Sequence, residues 1–270
     1  MTDTLLQVDQ LTHTYDPDGA NPYTAIADLG FTVDRGQFVA LVGPSGCGKS
    51  TLLRCLAGLQ RPSGGSVSID GAVVDDVPKQ LALVFQDYNR SLFPWLTVHD
   101  NVDFPLRHLG LDAGERDQRI TRSLEQVGLT AHGTKFPWQL SGGMQQRVAI
   151  ARALAYEPAI LLMDEPFASV DAQTRAELED LLLDVWRQSR STVLFVTHDI
   201  DESVYLADRI LVLSGSPGTV IADLDVPLGR PRDQIETKQQ EAFVHLRAEV
   251  ARLIQHAKTG ERDRTNQPAR

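Results

Sequence analysis

Three stretches of the chain are unbroken apolar runs: Phe38-Val39-Ala40-Leu41-Val42, Leu81-Ala82-Leu83-Val84-Phe85 and Ala159-Ile160-Leu161-Leu162-Met163. Thr192 to Val196 is of the same kind. Runs of that length without polar alternation predict strands buried on both faces. Elsewhere the pattern alternates. Leu6 and Val8, then Leu29, Phe31 and Val33 beyond the turn residues Asp16-Pro17-Asp18-Gly19, predict half-exposed strands of an antiparallel layer. Pro62-Ser63-Gly64-Gly65-Ser66 breaks the chain before a short strand, Val67 to Gly71, and Ile210–Leu213 and Val220–Ala222 predict the last strands. Helical spacing appears five times. Leu52, Leu53, Leu56 and Leu59 predict a helix beginning near Lys49, and Ile120, Leu124 and Val127 follow a capping box at Asp112-x-x-Glu115. Met144, Val148, Ala151 and Ala155 share one face, as do Leu178, Leu181, Leu182, Val185 and Trp186 behind Asp171. Phe243, Leu246, Val250 and Leu253 mark a closing amphipathic helix. Strands alternating with helices make the chain α/β, interrupted by a helical insertion over about 87–155 where strand signals vanish. Residues 258–270 are polar without periodicity and are expected to form a disordered tail after a single domain spanning 1–257.

Composition narrows the partners. The 270-residue chain can bury a substantial core, and its formal net charge of −10 with a sequence pI near 5.1 argues against a nucleic-acid binder. No run approaches the ~18 apolar residues of a membrane span, and the N-terminus lacks the basic-then-apolar pattern of a signal peptide. Cys47 and Cys55 are poorly placed for a disulfide and lack histidines at zinc spacing. The expectation is a reduced, cytosolic chain that reaches a membrane only through a partner.

Candidate chemistry gathers at strand ends. Gly43-Pro44-Ser45-Gly46-Cys47-Gly48-Lys49-Ser50-Thr51 fits G-x-x-x-x-G-K-[ST], between a buried strand and a helix as that motif requires. Its glycines allow backbone amides to approach a polyphosphate, the helix start adds positive potential, Lys49 reaches the outer phosphates, and the Ser50 hydroxyl can ligate Mg²⁺. A nucleoside triphosphate is the expected ligand. Ser141-Gly142-Gly143 leaves bare amides at a second helix start, which reads either as a serine cap or as a second anion site. Asp164 and Glu165 end one buried strand, Thr197-His198-Asp199 end another, and Gln86 stands at the carboxyl end of a third, the edge where ligands collect in open parallel sheets. In extended chain Asp164 and Glu165 would face opposite sides, one toward the magnesium shell and the other toward water. Tyr15 reads equally as a packing residue at a strand end and as a platform for a nucleotide base. Phe93 and Trp95, in Leu92-Phe93-Pro94-Trp95-Leu96, read as the core of the insertion or as a docking surface.

These motifs, in this order and separation, resemble the ATP-binding subunit of ABC transporters over nearly the whole chain. The resemblance rests on the loop at 43–51, Gln86, LSGGMQQR at 140–147, ILLMDE at 160–165, Ser169-Val170-Asp171 and His198. It implies a P-loop NTPase core with a mostly parallel sheet, an antiparallel β layer and an inserted helical subdomain. It further implies that residues 43–51 hold the phosphates of ATP, that Ser50, Gln86 and Asp164 serve Mg²⁺, that Glu165 polarises the attacking water, that His198 contacts the γ-phosphate, and that Tyr15 stacks on the base. Ser141, Gly142, Gly143 and Gln145 would cap ATP on the opposite subunit, with Asp171 in the loop facing it. A head-to-tail homodimer is therefore implied, at the cytoplasmic face of the membrane, with integral membrane permease subunits and, indirectly, an extracytoplasmic solute-binding protein. LSGGMQQRVAIARAL resembles the importer form. Leu92 to Val98 and the stretch from Leu211 through Gly229-Arg230-Pro231-Arg232-Asp233 look like the subgroup serving nitrate, sulfonates and taurine. The chain departs from that subgroup by slightly greater length at Asn89-Arg90-Ser91, and it ends without the extra β-domain of many sugar and polyamine importers. The cluster of Phe93 and Trp95 then reads as part of the permease groove.

Two rivals are weaker. A soluble ABC-type ATPase of DNA repair or translation generally carries two modules or long coiled coils and binds polyanions, which the charge of this chain disfavours. A P-loop kinase or GTPase would have no use for LSGG.

Overall fold

The computed structural model describes residues 3–87, 91–189 and 191–265, the last six as backbone only. In chain order the elements are β1 (Thr4–Tyr15), β2 (Tyr23–Asp34), β3 (Phe38–Val42), α1 (Lys49–Leu56), β4 (Gly64–Ile69), β5 (Ala72–Val73) and β6 (Leu81–Val84). Then come α2 (Val98–Asp103), α3 (Ala113–Gln126), α4 (Gly142–Ala155), β7 (Ile160–Asp164), α5 (Ala172–Ser189) and β8 (Thr192–Val196). The last are α6 (Ile200–Leu206), β9 (Arg209–Leu213), β10 (Val220–Asp225), α7 (Glu236–Gln239) and α8 (Glu241–Thr265). They fall into two compact units, Met1–Lys79 with Thr192–Arg270, and Gln80–Ser191.

The first unit is built on β3. It pairs in parallel with β8 on one side and β9 on the other, placing Leu41 opposite Val196 and Leu211, while β10 runs antiparallel to β9. Every residue of β3 and β8 is buried, as their uninterrupted apolar runs require. A second sheet has the order β2-β1-β4-β5 with antiparallel pairs throughout, and it buries Leu6, Val8 and Leu11 of β1 with Leu29, Phe31 and Val33 of β2. The closing helix α8 buries Phe243, Leu246 and Val250 and packs against α6 and β9.

In the second unit β6 pairs in parallel with β7. α3 begins where Asp112 accepts the Glu115 N–H at 2.8 Å, and it buries Ile120 and Leu124, with Val127 buried just past its end. This compact unit extends beyond the expected insertion at both ends, because β6, β7 and α5 belong to it.

Four local expectations need correction. α1 stops at Leu56, since Gly58 turns the chain with φ 68°, and Leu59 is exposed instead of continuing the apolar face. The run at 81–85 is not a strand buried on both faces: Ala82 and Leu83 are partly open, and Phe85 lies past the strand and is exposed. On α5, Leu183 is buried while Leu181 and Trp186 are only half-buried. Finally, α8 continues to Thr265, so 258–265 is helical backbone and not an unstructured tail. Polar, charged residues other than glycine propagate a helix that packing has already nucleated. Residues 266–270 of that expectation, and Asn89 and Arg90 of the expected lengthening, lie outside the described residues.

Cys55, on the inner face of α1, is buried, and desolvation pushes its thiol up to about 11 from an ordinary value of 9.0. Below pH 9 both folded and unfolded chains keep the proton and the contribution is present in full. It is lost as pH rises from 9 through 11, where only the unfolded chain ionises. Urea unfolding should therefore lose on the order of 2 kcal/mol more across that window in the parent chain than in Cys55→Ala.

Candidate nucleotide site

The loop after β3 is shaped by close backbone contacts. Gly46 and Gly48 have φ of 83° and 95°, conformations that side-chain-bearing residues rarely adopt. A Cβ on Gly48 would stand 2.7 Å from the Ala25 carbonyl oxygen. Gly43 is closed in by Cys47 Sγ and Leu213 Cβ, at 2.9 and 3.0 Å from where its Cβ would be. Lys49 opens α1 and is 7% exposed, its ammonium donating to the carbonyls of Gly43 at 2.9 Å and Pro44 at 3.0 Å. Backbone amides at a helix start and one lysine form a donor set suited to phosphate oxygens. Among the described residues no group of three or more His, Cys, Asp or Glu could hold a metal ion by itself.

Tyr15 ends β1 with its hydroxyl 3.0 Å from Thr51 Oγ1 and 3.4 Å from Gln60 Oε1, which joins this aromatic to α1. Desolvation acts to raise its phenol, but hydrogen bonding with Thr51 and Gln60 together with the nearby Arg54 outweighs it, and the net shift is downward. A second aromatic escaped the sequence reading. Tyr23 lies parallel to Tyr15 with ring centroids 6.3 Å apart, and its hydroxyl donates to the Gly46 carbonyl at 3.3 Å and lies 3.0 Å from Ser216 Oγ. The turn after β9 was likewise missed. The Gly218 N–H donates to Ala25, its carbonyl accepts from Ala27, and a Cβ there would come within 2.1 Å of the Cys47 carbonyl oxygen. Ser-Gly-Ser-Pro-Gly announces a turn, but nothing local says that it props the phosphate loop.

His198 is exposed just beyond β8, and because β8 runs parallel beside β3 it leaves the sheet at the same edge as Gly43. The Gly229–Asp233 stretch also has a structural task. Arg230 binds Asp208 at 2.7 Å and the Leu206 carbonyl at 2.9 Å, while Arg232 donates to the Tyr205 carbonyl at 2.5 Å. Both thus hold the C-terminal end of α6, the helix that follows His198.

In the second unit Asp164 is the last residue of β7, and Glu165 turns out of the strand with φ 43°. Simple alternation of the two carboxylates therefore does not apply. A glutamate in the left-handed region is strained by about 1–3 kcal/mol, of the kind found at functional sites. Gln86, expected near the metal, donates its amide to Glu165 Oε2 at 3.3 Å. Ser141 caps α4 by accepting the Met144 N–H, and the Gln145 amide donates to the Leu140 carbonyl at 3.1 Å. Asp171 lies beside this helix start: a Cβ on Gly143 would come within 2.4 Å of Thr174 Cγ2, and the Thr174 N–H donates to Asp171 at 3.0 Å. That backbone bond is the main cause holding the Asp171 carboxyl below its ordinary range.

The same unit carries a groove of about 590 Å³ walled by Leu81, Leu83, Phe85, Phe93, Phe104 and Tyr156. Phe93 contacts both Phe104 and Trp95, at centroid distances of 4.5 and 5.5 Å, and Trp95 is 70% exposed, so it is no core residue. Arg152, also lining the groove, donates to the Ser91 carbonyl at 2.6 Å.

A buried strand, a phosphate loop and a helix, with a carboxylate pair closing another strand, define a P-loop nucleotide hydrolase. The ABC transporter family model matches residues 26–168, and the chain belongs to that family as an ATP-binding, ATP-hydrolysing subunit. It is 42% identical over 237 residues to the nitrate import ATP-binding protein NrtD of Synechococcus elongatus, covering 87% of this chain and 86% of that one. It is 46% identical over 233 residues to the taurine import ATP-binding protein TauB of Sinorhizobium fredii, covering 84% and 86%. Among solved structures it resembles the dimeric ATP-binding cassette MJ0796 bound to ADP and Pi (34% identical, TM-score 0.71, 82% of this chain and 99% of that chain). It also resembles cbiO1 of Clostridium perfringens, part of the transporter complex cbiONQ (28% identical, TM-score 0.76, 96% and 99%).

The close approach of Gly218 yields a test. Gly218→Ala should weaken ATP binding about tenfold, an overpacking cost within the usual 1–3 kcal/mol. Gly229→Ala, whose Cβ would meet nothing within 4 Å, should bind as the parent does in the same nucleotide titration.

Proposed function

We propose that the chain energises an importer for a small solute of the nitrate, sulfonate or taurine kind, working as a head-to-tail homodimer on the cytoplasmic face of the membrane. One observation carries the dimer: a single chain holds one phosphate loop, at 43–51, and one Ser-Gly-Gly helix start, at 141–143, kept tight against the Asp171 segment by Gly143. Each helix start suits phosphate oxygens, and the second has no use on its own chain's nucleotide under the family reading. Ser141, Gly142, Gly143 and Gln145 cap the ATP held by the partner, and Asp171 meets the partner's loop. The dimeric state of the solved cassette bound to ADP and Pi supports the pairing of two chains.

At each nucleotide, Tyr15 stacks on the base, and Gly43, Pro44, Ser45, Gly46, Cys47, Gly48, Lys49, Ser50 and Thr51 cradle the phosphates. Ser50, Gln86 and Asp164 would hold Mg²⁺, which would offset phosphate charge. Glu165 orients the attacking water and His198 binds the γ-phosphate. Catalysis is then mostly positioning and charge stabilisation. The apolar groove walled by Phe93 and Phe104, with Trp95 beside it, receives a segment of an integral membrane permease, and an extracytoplasmic solute-binding protein delivers the solute on the far side. The names of the nitrate and taurine relatives support the solute class, and the complex containing cbiO1 supports assembly with further subunits.

Glu165→Gln should lower ATP turnover by about 10²–10⁴-fold, the usual share of a positioned acid/base group, while retaining nucleotide and dimerising more tightly with it. Phosphate release and light scattering read the two effects; turnover at the parent rate would remove Glu165 from this role. Trp95→Ala should leave ATP turnover of the isolated chain unchanged and abolish copurification with a membrane protein.

A further inference from the structure

His198 leaves the sheet inside a closed ring of hydrogen bonds that the start of α6 does not need. Thr197, immediately before it, is 1% exposed. Its N–H donates to the Leu41 carbonyl at 3.2 Å, tying it to β3 at the point where the phosphate loop begins. Its hydroxyl donates to Glu202 Oε2 at 2.5 Å and accepts the Asp199 N–H at 3.0 Å. Glu202 itself is 4% exposed, on the first turns of α6. The hydroxyl of the residue before His198 therefore holds the backbone of the residue after it, and the side chain of Glu202 with it. Between them the imidazole is left exposed at the sheet edge.

Helix initiation alone does not account for this. Asp199 already caps α6, accepting the N–H of Asp201 at 2.8 Å and of Glu202 at 3.2 Å. A buried carboxylate on a threonine hydroxyl costs desolvation, and packed apolar residues in its place would commonly be as stable or more so. What the ring does supply is a fixed backbone on both sides of one exposed histidine. A displacement of about 1 Å at a reacting group can cost a hundredfold in rate, so a device of this kind has a use where His198 must meet a phosphate.

We propose that Thr197 and Glu202 are positioning residues: the hydroxyl–carboxylate bond holds the His198 backbone so that the imidazole is presented to the terminal phosphate of the nucleotide. The proposal rests on the role given to His198 above. Its predicted signature is a loss in kcat without a matching loss in nucleotide affinity, because the phosphate loop and Tyr15, which carry most of the binding, are untouched.

The test measures kcat, KM and equilibrium nucleotide binding of the purified full-length chain, with folding checked by circular dichroism. Thr197→Val should lower kcat by about 10–100-fold with nucleotide Kd within about twofold of the parent. Thr197→Ser, which keeps the hydroxyl, and Glu202→Gln, which keeps an acceptor, should restore most of that rate. Thr197→Val on a His198→Ala background should cost nothing further, since a positioning residue has nothing left to position. If Thr197→Val does not fold, Glu202→Gln against Glu202→Leu makes the same comparison from the other partner. Parent-like kcat in a folded Thr197→Val, or a full extra loss on the His198→Ala background, overturns the proposal while leaving the role of His198 standing. Parent-like kcat in His198→Ala overturns both.

Discussion

Amides can converge on an anion after β3 only because three other stretches of backbone come up behind the loop at van der Waals distance. Gly48 lies against Ala25, Gly43 against Leu213, and Gly218 against Cys47, and none of these approaches would survive a side chain unchanged. The polar groups brought together are paired as they meet: Gly218 donates to Ala25 and accepts from Ala27. The bend of the loop is therefore a property of the first unit as a whole. β3 is buried on every residue, its neighbours β8 and β9 fix its register, and the turn beyond β9 returns to close the back of the loop.

The elements legible in the sequence were those whose signal is local. β3, β7 and β8 announce themselves as continuous apolar runs, β1 and β2 as alternation, and α3 and α4 through Asp112 and Ser141 caps. The motif residues could be named for the same reason, since each motif is a short string at a strand end. The misreading at 81–85 has a simple cause: an apolar residue says that it will be covered, never by what. Leu83 and Phe85 looked like strand core but wall a groove. Arg230 and Arg232 belong to the stretch that carries the subgroup likeness, and only the fold shows that they also hold α6 by its carbonyl end. Tyr23 and Gly218 carry no motif, and only the pairing of distant segments places them at the phosphate loop. The left-handed turn at Glu165 was equally invisible, because glutamate has no preference for it.

The second unit handles its chemistry by a different device. Asp171 and Gly143 are 28 positions apart in sequence, as their numbers show, yet the absent side chain of Gly143 lets Thr174, one turn after Asp171, press against the start of α4. The Ser-Gly-Gly helix start and the Asp171 segment are thus packed directly against one another. Glu165 leaves its strand strained, with the Gln86 amide on its carboxylate. A carboxylate on a strained backbone, held by a hydrogen bond, is one whose direction is set by its surroundings and not by its own rotamer preference.

A chain with a net charge of −10 does not draw in a polyanion by its overall field. Affinity for ATP must then arise from short-range contacts: amides at the start of α1 and one ammonium group. Lys49 is well suited because it is buried and already aligned by the Gly43 and Pro44 carbonyls, so little reorganisation accompanies its use. The start of α4 has the amides without a basic residue in its first turn, Gly142-Gly143-Met144. It offers about half a charge where the first site, with Lys49, offers more than one. Two such starts on one chain are therefore unequal by construction. Under the proposed head-to-tail pairing, the nucleotide settles in the phosphate loop first, and a phosphate already fixed there makes the weaker helix start of a second chain worth closing upon.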